Sequence, residues 1–186
     1  VTYTAPILLD GIPYPAALWQ AALDEVARTS KIGAPILASK TVDEPLPSST
    51  TLQDDDTLFA SVAASTTYEV SLFLLFGALG AASTGGIKLG WSAPASSTFD
   101  WSPYGKIDSD ATNAATSIWM SHNIISDTVN LGGGSANTVK MAARPYGYLT
   151  TSTTPGIFKF RWAQATSNGT ATIVRAGSRL LLRPVG

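Results

Sequence analysis

The sequence predicts an all-β protein, an antiparallel jelly-roll-like β-sandwich preceded by an extended arm and one amphipathic helix. Three observations predict it. From about Thr50 onward the apolar residues recur with a period of two. Short apolar runs follow one another, punctuated by Gly, Ser, Asn and Pro, as in sandwiches and jelly rolls. Helical spacing occurs in one stretch, near the N-terminus.

Composition bounds the answer. With 186 residues the chain has room for one ordinary domain and an appendage, and not for two full-sized domains. Charged residues are 13%, against 22 Thr, 20 Ser and 26 Ala, so the surface is rich in hydroxyls and weakly charged, which favours β-structure and partner contacts. Cysteine is absent, which excludes a disulfide framework and thiolate metal sites, leaving packing to hold the fold. The longest apolar run, "LFLLFGALGAA", is interrupted by Gly77 and Gly80 and falls short of the ~18 residues a membrane span needs. "VTYTAPILLDG" lacks a basic start and cleavage site, so the expectation is a soluble chain not exported by a signal peptide.

A net charge of −1 argues against nonspecific nucleic-acid binding, although the charges are unevenly placed. Eight of the 13 acids fall within residues 1–56, whereas residues 140–186 hold seven Lys and Arg and no acid. Outward strand positions need polar side chains, which accounts for these cations; an interface matched by charge is the other reading. Arg175, Arg179 and Arg183 recur every four residues and share one side if a single strand runs through Gly177.

Residues 1–14 carry Pro6 and Pro13 and no periodicity, the pattern of an extended arm. The run "PAALWQAALDEVARTSKIG" has Pro15 in the tolerated first turn and Gly33 placed to end a helix. Trp19, Ala22, Leu23 and Val26 make one narrow apolar stripe on it. Such a helix is marginal alone and must pack, either on its own β-domain or on another subunit. In 34–50, Pro35, Pro45 and Pro47 predict a linker or an extended crossing strand. The expected division is therefore arm and helix in 1–33, Pro-rich linker in 34–50 and β-sandwich in 51–186.

Within the sandwich, Tyr68, Val70, Leu72, Leu74 and Phe76 alternate, with Phe73 and Leu75 opposite, predicting a central strand buried on both faces. After the turn "GAASTGG", "IKLGWSA" predicts a strand beside it, with Ile87, Leu89 and Trp91 on one face. Further strands are expected at 58–63, 117–125, 138–143, 147–151, 156–164, 171–176 and 178–185. Asn168-Gly169, between two of them, is a strong hairpin signal and outweighs its match to a glycosylation sequon.

Few residues carry chemistry. His122 is the only histidine, with Ser121 and Asp127 nearby, but no "GxSxG" elbow occurs, and a hydrogen-bonded structural histidine is the simpler reading. "DSDATN" at 108–113 starts like a calcium loop, yet Thr112 and Asn113 stand where a ligand and a glycine are required. Asp54, Asp55 and Asp56 have a calcium reading and a cheaper one as a solvated turn. "LGGGSA" lacks the Lys-Ser/Thr of a phosphate loop and reads as a loop tip. Aromatics in "FDWSPYGK" at 99–106 suit either a sugar platform or core anchors. No cofactor, metal or catalytic site is expected, and the chain reads as no enzyme.

Two segments, "TTYEVSLFLLFGALGAASTGGIKLGWSAP" (66–94) and "GIFKFRWAQATSNGTATIVRAGSRLLLRPV" (156–185), resemble a C-terminal β-sandwich domain of virion proteins of tailed bacteriophages, especially those of actinobacterial hosts. The N-terminal "PYPAALWQAAL" is similar to the helix-opening segment of such proteins. The resemblance implies a homotrimeric capsid decoration or head fibre protein on the virion surface, attached through its N-terminal part to the major capsid protein, and brings no catalytic residues. The lack of a repeated shaft favours decoration over a long tail fibre. Candidate capsid-anchoring residues are Tyr3, Ile7, Leu8, Leu9, Ile12, Tyr14, Trp19, Leu23 and Val26, the large rings being the expected hot spots. The alternative is a minor tail or tail-fibre module that binds a host-surface glycan through the aromatic loops at 99–106 and 118–122.

Overall fold

The computed structural model describes Gln20, residues 33–107 and residues 117–185. The arm, the helix apart from Gln20, the nine anchoring residues and the 108–113 loop lie outside the described residues. Pro35–Val185 form one compact unit. Its strands are β1 (Ile36–Ser39), β2 (Glu44–Leu46), β3 (Gln53–Val62), β4 (Thr67–Gly77), β5 (Ile87–Ser92), β6 (Thr98–Ser102) and β7 (Gly105–Ile107). There follow β8 (Ser117–Trp119), β9 (Val129–Leu131), β10 (Met141–Ala143), β11 (Tyr146–Thr150), β12 (Gly156–Gln164), β13 (Thr172–Val174) and β14 (Arg179–Val185). No helix among the described residues is long and apolar enough to cross a membrane.

The strands form an antiparallel β-sandwich. The larger sheet runs β1-β14-β4-β11-β6, with β10 and β13 also on β4 and β2 on β13; the smaller runs β3-β12-β5-β9, and β7 and β8 form a ribbon. β4 is the centre, flanked by β11 then β10 on one side and by β14 then β13 on the other. Its inward side chains, Tyr68 to Phe76, are all buried. The expectation of burial on both faces is corrected: Glu69, Ser71 and Phe73 are exposed and Leu75 half-buried, because among the described residues no layer covers that face of the sheet. β5 is also reassigned. It pairs with β12 and β9 in the smaller sheet, so "GAASTGG" carries the chain across the sandwich and makes no hairpin. Gly86 in that crossing has φ +67, and a Cβ there would meet the Leu131 carbonyl oxygen at 2.5 Å.

Aromatic rings join the sheets. Trp91 of β5 stacks on Phe158 of β12 with centroids 5.1 Å apart, and Phe99 of β6 meets both edge-on at 5.2 and 5.1 Å. Phe99 and Trp101 are therefore core anchors, not a sugar platform. The outward side of β12 carries Ile157, Lys159 and Arg161.

The 34–50 stretch takes the crossing-strand form, and the linker reading is corrected: β1 pairs with β14 and β2 with β13. Pro45 is tolerated because β2 has, among the described residues, a partner on one side only. Asn168-Gly169 does turn the chain, but between β12 of the smaller sheet and β13 of the larger, so no hairpin forms there. Asn168 Oδ1 accepts from the Thr170 amide and its Nδ2 donates to the Thr84 carbonyl. "LGGGSA" is no loose tip either. Gly132, Gly133 and Gly134 are buried, their amides donating to the Lys106, Gly80 and Ala78 carbonyls.

The three consecutive aspartates have three environments. Asp55 is buried against Lys40, Asp54 bridges Lys159 and Arg161, and Asp56 is exposed. The arginine row is broken by Gly177 at φ +92. Arg175 turns to Asp43 and the Asn137 carbonyl, leaving Arg179 and Arg183 together on β14.

Two carboxyls are held below the ordinary Asp value near 3.8. Asp43 is lowered by the hydrogen bond from the Ala176 amide and then by Arg175, and Asp54 by its hydrogen bond from Lys159. In each case the folded state binds fewer protons than the unfolded one in acid, so the stabilisation is present above the ordinary Asp pKa and is lost as pH falls through the lowered one. The melting temperature is expected to drop as pH falls from about 4 to about 2. Paired Asp43→Asn and Asp54→Asn substitutions should shrink that drop, as thermal melts across this range would show; an unchanged drop would remove these two groups from the acid response.

Candidate binding face

The outer face of the larger sheet, which no layer covers among the described residues, is the most distinctive surface they form. β11 alternates strictly: Gly147 and Leu149 point into the sandwich, Tyr146 and Tyr148 point out. Gly147 is required by the close approach of β6, since a Cβ there would meet the Asp100 carbonyl oxygen at 2.1 Å. Across β11, Tyr146 faces Ser102 and Tyr148 faces Asp100 on β6, while Ser71 and Glu69 stand opposite them on β4.

A loop from β8 closes one side of this face. Trp101 and Asn123 exchange backbone hydrogen bonds of 2.9 and 2.8 Å, and the buried Trp101 indole donates to the Ile124 carbonyl. This anchoring sets His122 beside Asp100, Nε2 to Oδ1 2.9 Å, with both side chains mostly exposed. Met120 is also exposed. Between them lies an open groove of about 290 Å³ lined by Asp100, Ser102, Met120, His122, Tyr146 and Tyr148. Beyond Tyr146 a second hollow, about 360 Å³, runs along Ser71, Phe73 and Arg144, whose guanidinium lies 5.4 Å from the Phe73 ring centroid. A third, about 90 Å³, continues along Glu69, Ser71, Leu181 and Arg183. The first two share Tyr146 and the last two share Ser71, so the three lie side by side along this face.

The Ser-His-Asp grouping does not assemble. His122 pairs with Asp100, Ser121 Oγ accepts from the Asn123 side chain, and Asp127 accepts from the Ile124 amide. No three His, Asp or Glu side chains converge as metal ligands among the described residues. Sequence reasoning placed an aromatic binding surface at 99–106 and 118–122, and the groove does take Asp100, Ser102, Met120 and His122 from those stretches. It missed Tyr146 and Tyr148. The available signal was two tyrosines at outward positions of a strand whose inward positions hold Gly147 and Leu149.

Fold and face together define an antiparallel β-sandwich with one open, aromatic sheet face. No protein-family model matches the chain, and no curated protein matches it. Among solved structures it is similar to the tripod from the baseplate of bacteriophage Tuc2009, at 10% identity over 98% of this chain and 75% of that one, with a TM-score of 0.31. It is also similar to a chain of infectious bursal disease virus, Gx strain, at 12% identity and TM-score 0.22, covering 82% of this chain and 40% of that one. The VP2 subviral particle of the same virus gives 10% identity and TM-score 0.23 with the same coverage. All three structures are of virus-particle components; the chain spans less than half the length of the bursal disease virus chains.

Proposed function

We propose that the chain is a non-enzymatic virion structural protein that decorates a bacteriophage capsid. Its N-terminal segment, through Tyr3, Ile7, Leu8, Leu9, Ile12, Tyr14, Trp19, Leu23 and Val26, binds the major capsid protein of the assembled shell. Its β-domain stands on the particle surface as a homotrimer. The observation that carries this reading is that the two segments resembling phage virion domains fold as the centre of the sandwich: 66–94 supplies β4 and β5, and 156–185 supplies β12, β13 and β14. The outer face supports it, because Leu37, Phe73, Tyr146, Tyr148 and Val185 leave large apolar side chains exposed there, the mark of a contact surface. Such a protein needs many weak, repeated contacts and no reaction centre.

Deleting residues 1–33 is expected to abolish binding to particles while leaving the β-domain folded. Co-sedimentation with capsids, alongside circular dichroism of the truncated protein, measures both. Undiminished coating by the truncated chain would refute anchoring through this segment.

A further inference from the structure

We propose that the groove beside Tyr146 and Tyr148 is a binding site for a neutral saccharide unit. The inference stands apart from particle attachment, since it concerns a surface of the β-domain and not the N-terminal segment.

A sugar ring is amphipathic: its C–H faces seek flat apolar partners, while its hydroxyls need donors and acceptors at the rim. The groove offers both. Tyr146 and Tyr148 stand on one face two residues apart, roughly 7 Å along the strand, about the length of one pyranose ring, and Met120 adds an apolar side. At the rim Asp100 receives His122 on Oδ1 and presents Oδ2 for a charge-assisted bond from a hydroxyl. Ser102 also lines the wall of the groove. The charge selects the class. Asp100 on one side of Tyr148 and Glu69 on the other disfavour acidic sugars, while Arg144 and Arg183 stand off the groove, the one against Phe73 and the other on β14 beyond Glu69. The volume, about 290 Å³, suits one or two rings, and the openness of the groove to water implies weak affinity.

The test is titration of the full chain, isotope-labelled, with glucose, galactose, mannose, rhamnose and arabinose in turn, following backbone amide shifts. At least one sugar is expected to bind with a Kd on the order of millimolar and to move the amides of Gly147, Tyr148 and Asp100. Tyr148→Ala, at a side chain 57% exposed, should keep the fold and weaken that sugar by about tenfold or more. Tyr148→Phe should retain most of the affinity, and Phe59→Ala on the opposite sheet should retain all of it. No shift with any of the five sugars up to about 100 mM, well above the millimolar range, would overturn the proposal. So would equal binding by the folded Tyr148→Ala protein, or tighter binding of glucuronate than of the neutral sugars. If the same amides respond to an apolar dye and to no sugar, the groove is a protein-docking surface and the saccharide assignment falls. None of these results bears on whether residues 1–33 hold the particle.

Discussion

Phe158→Ala is expected to destabilise the β-domain by about 3–5 kcal/mol, lowering the melting temperature by roughly 6–20 °C for a chain of this size. Phe158 is fully buried at the middle of the sandwich, stacked on Trp91 and edge-on to Phe99. Truncation removes the transfer free energy of the ring. It also leaves a cavity that cannot close, because β12 is held between β3 and β5. The two ring contacts add about 1 kcal/mol of orientation-dependent attraction. The neighbouring residue is the internal control. Ile157 points out and is 45% exposed, so Ile157→Ala should cost less than about 1 kcal/mol. Urea unfolding of the two variants side by side decides the matter: comparable losses would mean that the inward and outward faces of β12 are wrongly assigned.

That contrast shows how far the sequence could be read. Strict alternation in "GIFKFRWAQ" gave β12 with its observed bounds, and the same signal gave β4, β11 and β14 nearly so, because period-two patterning is a local property of the chain. Pairing is not local. Nothing in "IKLGWSA" says whether its strand lies beside β4 or crosses to the other sheet; the choice is made by distant partners, β12 and β9. β1 and β2 were obscured by prolines that an edge position tolerates, and β6 by the Pro103 and Gly105 that follow it, although Phe99 and Trp101 alternate correctly with Asp100 and Ser102. The groove was half legible. His122 and the 99–106 stretch drew notice for their chemistry, whereas Tyr146 and Tyr148 gain meaning only once β11 is known to lie between β4 and β6.

Lys40→Ala should rank with Phe158→Ala in cost, about 3–5 kcal/mol, for an electrostatic reason. The Lys40 and Asp55 side chains are 2% and 0% exposed, with Nζ 3.0 Å from both carboxylate oxygens, and Glu44 also receives the ammonium. The lysine backbone is tied to the turn between β13 and β14, donating to the Ser178 carbonyl and accepting from the Gly177 amide. This one residue thus fastens the proline-rich entry of the domain to its closing strands and to β3. Removing the ammonium strands a carboxylate in the interior, which costs more than the pair contributes. Adding Asp55→Asn should recover about half of the loss or more, because the amide oxygen still accepts from the Thr57 and Leu58 amides while the uncompensated charge is gone. Denaturant titration of the single and double variants measures the recovery. A double variant no more stable than Lys40→Ala would show that the cost arises from lost packing of the lysine stem, and a Lys40→Ala variant as stable as wild type would show that Asp55 does not depend on this partner.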